Sequence, residues 1–119
     1  MSIESYRDLK VWQKSIDLTV ECYAATKAFP DDERYGLTSQ IRRAAGSLAA
    51  NIAEGHGRGS TKPFLNFLWI ANGSLRELET HLIIAGRLGY LSRDDAKPLF
   101  AQMKEIGRML IGLRRSLQS

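Results

Sequence analysis

The chain has 119 residues, 44% of them hydrophobic and 25% charged, which suits one soluble globular domain spanning residues 1–119. One cysteine, Cys22, excludes an internal disulfide and a cysteine-rich metal site; the opening MSIESYRDLK has no apolar signal stretch and no run is long enough to span a bilayer, so a cytoplasmic protein is expected. Charges cancel through Ser60, so the net +4 lies in the second half, which permits an anionic partner without requiring one.

The first predicted helix runs from about Arg7 to Ala28. Leu9, Trp12, Ile16, Val20 and Tyr23 form its main apolar stripe, with Val11, Leu18 and Cys22 off that stripe. Phe29-Pro30-Asp31-Asp32 ends it, because the residue before proline is pushed from helical angles. The second helix starts between Asp32 and Thr38, buries Leu37, Ile41, Ala44, Ala45, Leu48 and Ile52, and breaks at Gly55-His56-Gly57-Arg58-Gly59. Gly46, Ala49, Ala50 and Ala53 give it a flank of small residues.

Ser60 or Thr61 caps the third helix, with Pro63 tolerated in its first turn. Phe64, Leu68, Ala71, Leu75, Leu78, Leu82 and Ala85 carry it to about Leu88, and Gly89 ends it. Ser92 with Asp95 reads as a capping box for the fourth helix. There Ala96, Leu99, Met103, Ile106, Leu110, Leu113 and Leu117 form one seam. No segment alternates at period two, so strands are not expected. Short connections between long helices give an all-α, antiparallel, up-down-up-down four-helix bundle.

Trp69, Ile83 and Leu65 point away from the seam of the third helix, and mark a self-association surface. Asn51, Glu54, Ser74 and Glu77 are placed as a polar network between the second and third helices, with Arg42 or Arg43 pairing a carboxylate. Catalysis finds little support. His56 and His81 lack the Glu-x-x-His spacing of carboxylate-bridged metal bundles, Cys22 has no activating neighbour, and Gly-His-Gly-Arg-Gly joins helix to helix where phosphate fingerprints need a preceding strand. Glu77 and His81, one turn apart, read as a hydrogen-bonded pair before a metal site. No cofactor or metal is expected, and the protein reads as a non-enzyme.

Lys97, Lys104, Arg108 and Arg115 fall opposite the seam of the fourth helix, within about 40° of one another at 100° per residue. They form the candidate RNA- or DNA-binding stripe, with Arg42, Arg43 and Arg58 as secondary cations. The competing reading is a protein-interaction scaffold whose stripe is only solvated.

The strings YRDLKVWQKSIDL, FPDDERYGLTSQIRRAA, NIAEG, IANGSLRELETHL and LGYL resemble the four-helix-bundle proteins encoded within intervening sequences of bacterial 23S rRNA genes. That family is similar to accessory proteins of diversity-generating retroelements, which engage nucleic acid and a reverse transcriptase. The resemblance implies a bundle assembling into a homopentameric ring, with no catalytic residue and a poorly defined role. Gln40, Arg42, Arg43, Asn51, Glu54, Gly55, Gly73, Ser74, Glu77 and Glu79 match its pattern and imply architecture, not demonstrated ligands. Relatives often carry proline where this chain reads Leu48-Ala49-Ala50, which implies a straighter second helix here.

Overall fold

The computed structural model describes residues 5–118. Four helices follow one another: α1 (Lys10–Thr26), α2 (Leu37–Gly57), α3 (Thr61–Arg87) and α4 (Arg93–Gln118), with short 3-10 turns at Tyr6–Asp8 and Asp31–Glu33. The described residues contain no strand. Each helix packs on its chain neighbours, and α4 closes the bundle against α1.

Contacts across each seam run in opposite directions along the two chains, so neighbours are antiparallel. Thr19 reaches the Ala45 carbonyl and Arg42 reaches Thr26; Ser47 meets Ser74; Arg114 covers Trp69 while Gly107 faces Arg76. The fit is closest at the α2–α3 crossing. A Cβ built on Gly55 would lie 2.6 Å from the Cβ of Phe67, so only glycine lets these helices approach there.

The core is aliphatic. Leu18, Ile41, Leu48, Ile52, Leu68, Leu75, Leu78, Leu82, Met103, Ile106 and Leu110 are fully buried. The seams expected on α2, α3 and the middle of α4 all face inward. α1 corrects the sequence reading. Val11, Leu18 and Cys22 enter the core, whereas Ile16, Val20 and Tyr23 of the expected main stripe are exposed. The buried face is completed by Ser15 and Thr26, whose hydroxyls donate to the carbonyls of Val11 and Cys22 at 2.7 and 2.8 Å. Hydroxyls satisfied by their own helix can enter a core without an orphaned donor.

The punctuation also shifts. α1 begins at Lys10, after a 3-10 turn capped by Ser5, and ends at Thr26. α2 starts at Leu37, runs without interruption past Leu48-Ala49-Ala50, and continues through Gly55 to Gly57. The chain reverses only at Gly59, which takes a φ of 76°. Glycine accepts that left-handed backbone without a Cβ penalty. Ser60 is the residue before α3, although its side chain makes no capping bond. Gly89 ends the α3 turn with a φ of 80°. Ser92 Oγ accepts the Asp95 N–H at 3.1 Å, which supplies the expected cap of α4. At this end Tyr90 donates its hydroxyl to Glu33 at 3.1 Å and packs on Phe29, tying the two loops together.

Candidate nucleic-acid interface

α4 fixes the site by the way it is seated. Leu99, Met103, Ile106 and Leu110 are 3% exposed or less, so Lys97, Lys104, Arg108 and Arg115 must face out, and all four are exposed. Among the described residues none of the four is ion-paired. At 1.5 Å per residue the stripe is about 27 Å long.

α3 adds a second basic row that the sequence reading missed. Lys62, Trp69 and Arg76 are exposed at seven-residue spacing, which drifts only about 20° per heptad, and Arg87 follows on the same flank. This flank borders α4. A Cβ on Gly107 would come within 3.2 Å of Arg76 Nη2, and the Arg114 guanidinium lies 3.6 Å from the Trp69 ring centroid. The heptad repeat of Lys62, Trp69 and Arg76 was the available signal; Arg114 was hidden because it follows the inward Leu113.

The α3–α4 face therefore presents two neighbouring rows of cations. Its carboxylates are outnumbered: Glu79 is held by Arg76 at 2.6 Å, and Asp94 stands in the first turn of α4, where the helix dipole favours it. Arg114 is half-buried, and its Nη1 is buried with no hydrogen-bond partner among the described residues.

The secondary cations lie elsewhere. α2 does not pack on α4, so Arg42, Arg43 and Arg58 are not part of this face. Arg42 Nε donates to Thr26 at 2.9 Å and the guanidinium lies 4.7 Å from the Tyr23 ring centroid. Arg58 pairs with Glu54 at 3.0 Å and covers Phe67. Arg43 is exposed beside Gln40, Ser47 and Glu77 in a groove of about 410 Å³. Neither Arg42 nor Arg43 pairs with a carboxylate among the described residues, contrary to expectation: Arg42 is engaged by Thr26 and Tyr23, and Glu54 by Arg58.

The polar network is smaller than expected and centred differently. Ser47 and Ser74 share a hydrogen bond at 3.0 Å, and Asn51 donates to the Ser47 carbonyl at 2.8 Å and to its hydroxyl at 3.0 Å. Glu54 and Glu77 lie outside it. Glu77 Oε1 is 3.7 Å from His81 Nε2, beyond hydrogen-bond distance. No group of three or more metal-ligating side chains occurs among the described residues. Cys22 is fully buried and its thiol is pushed up to about 12, first by desolvation and then by Glu21, so it is inert as a nucleophile.

Trp69 and Ile83 are 58% and 49% exposed, and Leu65 is half-buried. Other exposed apolar side chains lie elsewhere. Ile16, Val20 and Tyr23 stand out from α1, and Ile70, Ile84 and Leu88 are exposed on one flank of α3. No helix among the described residues is long and apolar enough to cross a membrane.

Residues 7–112 match the 23S rRNA-intervening sequence protein family. The chain belongs to that family. It is also similar to a protein of unknown function from the S23 ribosomal protein family of Bacteroides thetaiotaomicron VPI-5482, known from its crystal structure. The two share 27% identity and a TM-score of 0.81, over 88% of this chain and 95% of that one. No curated protein matched the chain. The 23S rRNA-intervening sequence match covers α1, α2 and α3 and ends within α4 at residue 112, so Arg114 and Arg115 lie beyond it.

Proposed function

We propose that this intervening-sequence protein is a cytoplasmic, non-enzymatic bundle that binds RNA or DNA by phosphate contacts along its α3–α4 face. The observation that carries the reading is the exposed row of Lys97, Lys104, Arg108 and Arg115, none of them ion-paired among the described residues, beside Lys62, Arg87 and the Glu79-paired Arg76 on the adjacent helix. Parallel rows of cations focus a positive field and displace counterions from a polyanion. Contacts of this kind position a backbone and give little sequence preference.

Self-association belongs to the same proposal. Apolar side chains stand exposed on α1 (Ile16, Val20, Tyr23) and on the flank of α3 that carries Ile70, Ile84 and Leu88, away from the basic row. A closed assembly, a pentameric ring in the resemblance noted above, would cover such faces and repeat the basic rows around its circumference. Ile83 and Leu65 lie within about 40° of Trp69 on the basic row of α3, so the assembly surface is assigned to α1 and to the Ile70, Ile84 and Leu88 flank of α3 instead.

The test is fluorescence anisotropy with a structured RNA and with a DNA duplex at low salt. The wild type is compared with Lys97→Ala/Lys104→Ala/Arg108→Ala/Arg115→Ala after light scattering shows equal mass. Binding that weakens at least ten-fold in the variant supports the proposal. An intact assembly that binds neither probe refutes it and leaves the scaffold reading.

A further inference from the structure

We infer that Trp69 and Arg114 form a stacking platform for an unpaired nucleobase, so that the partner of the α3–α4 face is single-stranded nucleic acid. The inference rests on the phosphate-binding reading and narrows its substrate class. Trp69 is more than half exposed, yet one side of its ring is covered by the Arg114 guanidinium at 3.6 Å. With that side occupied by the guanidinium, the opposite indole face is the one a base would stack on. A flat aromatic surface backed by a cation suits any base, because every base offers a π-face.

Two further observations favour this over ordinary surface packing. The buried Nη1 of Arg114 has no hydrogen-bond partner among the described residues, and its guanidinium lies against the indole. A ring restrained by such a contact would lose less freedom when a base lands on it. The surroundings then supply the backbone contacts. Lys62 and Arg76 stand two turns to either side of Trp69, about 10 Å along the axis, and Arg115 follows Arg114. A strand laid along α3 meets a cation before and after the stacked base. Bases in a duplex are already stacked on one another and cannot reach the indole.

The experiment uses the full chain and oligothymidylate and oligouridylate probes of about 12 nucleotides, with a DNA duplex of the same length. Both single strands bind more tightly than the duplex, and the tighter of the two identifies DNA or RNA as the source. Trp69→Leu loses about ten-fold in single-strand affinity, with duplex affinity and salt dependence unchanged, while Trp69→Phe keeps most of the affinity. Quenching of indole fluorescence by oligothymidylate persists in Trp12→Phe and disappears in Trp69→Phe. The platform is refuted if Trp69→Leu binds single strands like the wild type, or weakens single strand and duplex equally. A changed oligomer mass in Trp69→Leu with no quenching in the wild type also overturns it, and makes Trp69 an assembly anchor. In those three cases salt-dependent binding still stands. A wild type that binds no probe at low salt removes both readings at once.

Discussion

Arg42 donates through Nε to the hydroxyl of Thr26 at 2.9 Å, and its guanidinium lies over Tyr23, so one side chain of α2 clasps the C-terminal turn of α1. Arg42→Ala removes a charge-assisted bond to a buried threonine and uncovers the tyrosine ring. We expect a loss of about 1–2 kcal/mol in urea denaturation, with nucleic-acid affinity changed less than by any single α4 cation. A normal midpoint with weakened binding would place Arg42 among the binding residues instead.

Gly55 and Gly46 make a contrasting pair on one helix. A Cβ at Gly55 would meet Phe67 Cβ at 2.6 Å and Phe64 Cδ1 at 3.1 Å, whereas one at Gly46 meets nothing within 4 Å. Gly55→Ala must push α2 and α3 apart, at a cost of about 2 kcal/mol or more. Gly46→Ala gains helix propensity and raises stability by roughly 0.5–1 kcal/mol. Thermal melts of the two variants should move in opposite directions.

The Ser47–Ser74–Asn51 cluster is the polar link between α2 and α3. Ser74→Ala leaves Ser47 with Asn51 as its remaining side-chain partner and should cost about 1 kcal/mol. Ser47→Ala breaks both links at once. The double variant should then cost less than the two single changes added together, since the second serine has nothing left to lose. Strict additivity in a denaturation cycle would show that the three side chains act separately.

Cys22 gives the fold a pH dependence of known sign. Its folded value is raised from 9.0 to about 12, so the folded chain keeps the neutral thiol while the unfolded chain ionises above about 9. The unfolded state then binds fewer protons, and stability falls as pH rises between these values. The contribution is fully present below about pH 9. The slope approaches roughly 1 kcal/mol per pH unit, and denaturation from pH 8 to 10 should be flatter in Cys22→Ala than in the wild type. Equal slopes would show that burial of the thiol is not what sets them.

The architecture is legible because α2, α3 and α4 each carry a continuous apolar seam that goes inside, as in Leu68, Leu75 and Leu82 of α3, whatever else stands on their other flanks. α1 was misread because its hydrophobicity and its burial disagree. Ile16, Val20 and Tyr23 outweigh Ser15 and Thr26 on any apolar scale, yet the hydroxyls bond their own helix and go inside. Neighbouring packing decided the rotation of α1, which no periodicity within a single helix reveals. Half of the candidate site was readable for a related reason. The α4 stripe lies opposite a clear seam, but Arg76 and Arg114 join it only through the contact of α3 with α4. Sequence order separates what that contact brings together.

The most direct test of the α3–α4 face compares two variants that lose the same charge from different places. One is Lys97→Ala/Lys104→Ala/Arg108→Ala/Arg115→Ala; the other is Lys10→Ala/Lys14→Ala/Lys27→Ala/Arg34→Ala, exposed cations outside the face. The readout is the dependence of log affinity on log salt for a single-stranded RNA of about 20 nucleotides. We predict a slope shallower by about 3 in the α4 variant and close to wild type in the other. Equal losses in the two variants would mean that net charge, and not this face, holds the nucleic acid.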